Sequence, residues 1–249
     1  MLENFTNKQT DEFVVVKDKN RTMFYGLTLT FFSIAVLLMF GLSFATLYIL
    51  RSQFFVELFL SNKGLYLTIG WAVLLIATIF IIWFLNRMKL VGLIISFPIV
   101  LITLSSGIGI LLNQYQYLNP NTDVVKLLGI MLIPAAIMLV AGILGTFNLV
   151  DMRAISIVSI LLFVAFIIAF IVSFFVDRAN WWIAVIGVAL LSITSIINWY
   201  IIRKEADLAT YNTPKEVVTK ALYFGINTFI LYAQLLWYIL EMFIGTSRE

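Results

Sequence analysis

The chain has 249 residues, 62% of them hydrophobic and 12% charged, with a formal net charge of +3. A soluble domain carries roughly twice that share of charge, so a water-soluble enzyme, a nucleic-acid binder and a disulfide-stapled secreted domain are all excluded. With neither Cys nor His, there is no disulfide and no thiolate or imidazole metal site, and no cofactor is expected.

Residues 1–22 are mixed in charge, with Glu3, Asp11, Glu12 and Asp18 among them. They read as a cytoplasmic segment and not as a cleaved signal, because the first apolar run is far longer than a signal core. Seven stretches then follow that contain no charge: Met23 to Leu50, Gly64 to Asn86, Leu90 to Asn113, Leu127 to Val150, Ala154 to Val176, Ala179 to Ile202 and Ala221 to Leu240. Each is long enough for a membrane helix, so the sequence predicts an all-α, polytopic membrane protein. The membrane domain covers 23–245 and the tail is 246–249.

Lys and Arg set the orientation. With the N-terminus inside, eleven fall on the inner side, among them Lys17, Lys19, Arg21, Arg203, Lys204, Lys215 and Lys220, against five outside: Arg51, Lys63, Lys126, Arg178 and Arg248. This bias predicts a cytoplasmic N-terminus and an external C-terminus. The connections are short, so the chain is one domain of consecutive antiparallel helices. Arg51 to Lys63 places Phe54, Phe55, Leu58 and Phe59 at helical spacing, as in an extension of the first helix or an interfacial segment. Asn119, Pro120, Asn121 and Asp123 form a turn.

Within the stretches, Gly41 with Ala45 and Ala141 with Gly145 are pairs of small residues suited to close helix approach, Pro98 and Pro134 suit kinks, and Trp181 with Trp182 suit an interfacial belt. Thr194, Ser195 and Asn198 share a face of the sixth stretch. Bonding to a neighbouring helix is the commoner role of such residues, and lining a polar passage the rarer one. Thr213, Pro214 and Glu216 supply the start signal of the last helix. Along that helix Asn227, Gln234 and Glu241 recur every seven residues. The spacing holds them on one face, which must turn away from hydrocarbon, so the seventh helix is expected to be central. Glu241 reads either as a carboxylate near the headgroups or as a buried cation ligand.

The last segment, from Lys220 to Glu249, resembles the final helix and tail of the Bax inhibitor-1 (transmembrane Bax inhibitor motif) family, through Ala221, Leu222, Tyr223, Ile226, Asn227 and Phe229. Ala189, Leu190 and Ser192 resemble the family's sixth-helix motif, and Asp151 its turn before the fifth helix. The resemblance implies a seven-helix bundle of divergent bacterial type in the plasma membrane, with calcium or cation leak activity. Leaking members use two aspartates, one late in the sixth helix and one early in the seventh, as a proton-sharing latch. Here those positions correspond to Asn198 and Gly225, or Phe224 on the alternative anchor, and the family arginine falls near Gln234. Asn and Gly do not titrate, so the resemblance implies a lost latch.

Three functions fit these residues. One is a cation leak with its pH latch altered or lost. The second is a regulatory partner of another membrane protein, such as a membrane protease. The third is a small-solute transporter built around the polar stripe. An intramembrane enzyme is not expected, since the spans hold no nucleophile-base pair. The lipid bilayer is the one partner that composition requires, and a cation or a membrane protein is the further partner these functions call for.

Overall fold

A computed structural model describes residues 3–53, 55, 57, 63–176, 179–209 and 212–247. The helices are α1 (Glu3–Arg51), α2 (Lys63–Phe84), α3 (Leu90–Leu118), α4 (Val124–Thr146), α5 (Met152–Val172), α6 (Ala179–Leu208) and α7 (Pro214–Thr246), with a 3-10 turn at Leu85–Arg87. Six of them are long and apolar enough to cross a bilayer: the Lys19–Arg51 part of α1, then α3, α4, α5, the Trp181–Leu208 part of α6, and α7. The remaining apolar helix, Ile69–Phe84 of α2, is shorter. The molecule is an integral membrane protein. Of the segment between α1 and α2, Phe54, Val56 and Leu58 to Asn62 lie outside the described residues.

Acidic side chains cap the starts of three helices. Asp123 accepts a hydrogen bond from the Lys126 amide at 2.9 Å, and Asp151 one from the Arg153 amide at 2.9 Å. Glu216 reaches back to the Thr213 amide at 2.9 Å, with Pro214 at the first position of α7. Such bonds satisfy amides that the first helical turn leaves unpaired. Pro98 and Pro134 lie within α3 and α4, which continue through them.

The chain runs up and down. At one end Arg21 pairs with Asp207 at 3.3 Å, Lys220 with Glu205 at 2.7 Å, and Asn20 donates to the Asn212 carbonyl at 3.1 Å. Lys89, after α2, shares a cleft at that same end with Asn212 and Lys215. At the opposite end Arg51 donates to Asn113 at 3.1 Å and Asn119 to Ser247 at 2.9 Å. The five basic residues Arg21, Lys89, Arg203, Lys215 and Lys220 therefore belong to one face of the bundle, and Arg51 to the other.

Helix α7 is the axis. In its most apolar window 61% of residues are buried, whereas in that of α5 none is. It packs against α1, α3, α4 and α6, while the backbone of α5 packs chiefly against α6 and that of α2 against α3. Tyr232 and Phe229 of α7 are fully buried, beside Met39, Leu112 and Met131 from three neighbours. The Tyr232 hydroxyl donates to the Met131 carbonyl at 2.5 Å.

Glycines set the close approaches, though not all at the expected places. Gly41 has open space where a side chain would stand, and both Gly41 and Ala45 are exposed on the outer surface of α1. The α1–α3 contact is made instead at Gly109, where a Cβ would come within 2.6 Å of Thr46 and 2.7 Å of the Ser43 carbonyl. Ser43 also donates to the Ser105 carbonyl at 3.0 Å. Gly145 does behave as the spacing predicts: a Cβ there would collide with the Ile196 carbonyl of α6 and lie 2.9 Å from Trp199.

Candidate polar seam between α6 and α7

Asn198 and the stripe on α7 meet. The Asn198 amide donates to the Thr228 hydroxyl at 3.0 Å, and the Asn227 amide donates to the Asn198 carbonyl oxygen at 2.9 Å. Asn198 and Thr228 are buried, so the three side chains form an uncharged bridge inside the membrane domain. Their polar groups satisfy one another where no water competes, which is how amides are tolerated at this depth.

The other members of the α6 cluster turn elsewhere. Thr194 and Ser195 each donate at 2.8 Å to carbonyls of their own helix, Leu190 and Leu191. Ser192 does the same with Val188 at 2.7 Å. A hydroxyl bonded back to the preceding turn contributes little to a neighbouring helix. Of the trio expected on this face, Asn198 alone bridges to α7.

Gly225 lies on a different face. A Cβ there would stand 2.7 Å from Phe31 Cβ and 3.2 Å from the Thr28 carbonyl, both on α1. The expected pairing of Asn198 with Gly225 is corrected accordingly: the residues opposite Asn198 are Asn227 and Thr228. Depth along a helix follows from residue count, but each residue turns the direction by about 100°, and Asn227 is two positions on from Gly225. Phe224, the alternative anchor, packs edge-on against Phe24 at 5.9 Å and is likewise directed at α1.

Toward the other end of α7 the stripe opens into two adjoining cavities. One, of about 480 Å³, holds Gln234 beside Leu190, Leu191 and Gly187 of α6. The next, of about 540 Å³, holds Glu241 with Gln114 of α3, Ser173 and Trp181. Phe166, Trp237 and Tyr238 wall both. Glu241 is half-buried, and its carboxylate accepts a hydrogen bond from the Trp237 indole at 2.7 Å. It has no cationic partner among the described residues. Gln234 makes no hydrogen bond to a described residue. Trp182 is 59% exposed, as a belt residue should be, but Trp181 turns inward onto Gly245.

Thr228, Trp237, Tyr238 and Gln114 are members of this seam that the sequence reading did not single out. Trp237 carried a usable signal, since it precedes Glu241 by four residues and so shares its face. Gln114 carried none, because nothing in α3 alone tells which helix it meets. No model of a known protein family, no curated protein and no solved structure matches this chain.

Proposed function

We propose that this chain is a membrane cation leak of the Bax inhibitor-1 type in which an uncharged amide latch replaces the titrating one. The observation that carries this reading is the Asn198–Asn227–Thr228 bridge, which ties α6 to α7 at Asn198, one of the two positions where the resemblance puts the latch. The cavities at Gln234 and Glu241 lie one and two heptads further along the same helix face. The proposal includes a cytoplasmic N-terminus and an external Glu241 end, from the bias of Lys and Arg.

A bridge of amides and a hydroxyl has no proton to lose near neutrality, so the leak is held by hydrogen bonds alone. The test is calcium efflux from proteoliposomes containing the purified protein, measured from pH 6 to pH 8. Flux is expected to vary little across that range. Asn198→Asp combined with Asn227→Asp places two carboxylates where a 2.9 Å hydrogen bond now lies, and two acids so close hold a shared proton. The double variant is therefore expected to become pH-dependent. Absence of calcium flux at every pH, or a steep response in the unsubstituted protein, rejects the proposal.

A further inference from the structure

Glu241 is the one acidic side chain in the α7 stripe, and burying a carboxylate without a cationic partner is costly unless a ligand or proton balances it. Its surroundings are not those of a metal centre. A hard dication takes six to eight oxygen ligands, whereas among the described residues no three acidic side chains come together. The walls are instead aromatic: Trp181, Trp237, Tyr238, Phe166 and Phe170.

Three of these rings are seated by glycines on other parts of the bundle. A Cβ at Gly245 would lie 2.8 Å from the Trp181 ring, one at Gly187 2.9 Å from Tyr238, and one at Gly107 2.5 Å from Trp237. Any side chain at those three positions would push a ring out of place, so the rings are held where they stand. Phe166 packs edge-on against Tyr238 at 5.9 Å, which fixes a fourth. The cavity thus sets a carboxylate that has no cationic partner among the described residues against aromatic walls.

We propose that this cavity binds an organic ammonium ion, with its cationic head against Glu241 and the aromatic walls. Ring faces attract alkylammonium groups through their quadrupoles, most strongly where water is excluded. A space of about 540 Å³ is in the range of small-molecule sites and far larger than a bare ion needs. This assignment stands on the cavity and does not rest on the leak.

The test is calorimetric titration of the full-length protein with choline chloride in nanodiscs of phosphatidylglycerol. Saturable binding is expected. Glu241→Gln, which keeps an oxygen for Trp237 to bond, should weaken it at least tenfold, and Phe170→Leu, at a half-exposed ring, severalfold. Sodium chloride should give no saturable heat. Repeating the titration in phosphatidylcholine nanodiscs identifies the source: lost choline binding assigns the site to a lipid headgroup, and retained binding assigns it to a free ammonium compound. Either result upholds the ammonium chemistry. No saturable choline binding in phosphatidylglycerol, undiminished binding in Glu241→Gln, or displacement of choline by an equal concentration of calcium chloride overturns it. Because binding is read without flux, a protein that binds choline but leaks no calcium rejects the leak alone, and the converse rejects the site alone.

Discussion

Replacing Asn198 by Ala removes both bonds of the α6–α7 bridge at once, the 3.0 Å bond to Thr228 and the 2.9 Å bond from Asn227. Hydrogen bonds between membrane helices average about 0.6 kcal/mol and reach about 1.7, so the two together predict a loss of about 1–3 kcal/mol. The lower half of that range is favoured by one repair route: the freed Thr228 hydroxyl can bond back to the carbonyl four residues earlier in α7. Asn227 is only half-buried, so it loses less than a fully buried amide would. The assay is reversible unfolding in mixed micelles with increasing dodecyl sulfate, followed by far-UV circular dichroism. A double-mutant cycle of Asn198→Ala with Asn227→Ala should return a coupling of about 0.6 kcal/mol. Strict additivity of the two substitutions would show that the bridge is not formed, and the reasoning built on it would fall.

Three further outcomes are expected. Gly225→Ala should cost about 1–3 kcal/mol by overpacking, because its Cβ meets α1 at 2.7 Å; the same unfolding assay checks it, and a neutral result would show that α1 and α7 are not in contact there. Gly145→Ala should destabilise by a similar amount while Gly41→Ala is neutral or slightly stabilising, since Ala is the better helix former by about 1 kcal/mol and Gly41 has open space around it. Reporters fused near Asp207 and after Glu249 should fall on opposite sides of the membrane, and finding both on one side would break the end-to-end course of α7.

What could be read before folding was the one-dimensional part of the structure. The charge-free stretches place the apolar helices because bilayer thickness converts directly into residue count. Thr213, Pro214 and Glu216 mark the start of α7 because caps act over three or four residues. The stripe Asn227, Gln234 and Glu241 placed α7 at the centre because it is the one helix with a consistent polar side. What could not be read was rotation about each axis. Helices as apolar as α1 carry no amphipathic signal, so Gly41 and Ala45 were as eligible as Ser43 and Thr46 to face α3. Gly225 failed as a latch position for the same reason: its depth was legible, its direction was not. The cavity around Glu241 was hidden because its walls come from four helices, and the glycines that seat its rings are distant from them in the chain.

The packing of α5 has a consequence for how that cavity communicates with its surroundings. The helix contributes no residue to the buried core, and its backbone rests chiefly on α6. Yet Phe166 and Phe170, two of the cavity's aromatic walls, belong to it. Segments with few buried contacts detach at the lowest free energy, well below global unfolding. Release of this one interface would expose the Glu241 chamber sideways to the acyl chains and leave the α1–α3–α7 core intact, so the route of least work into the chamber runs through the lipid and not along the bundle axis.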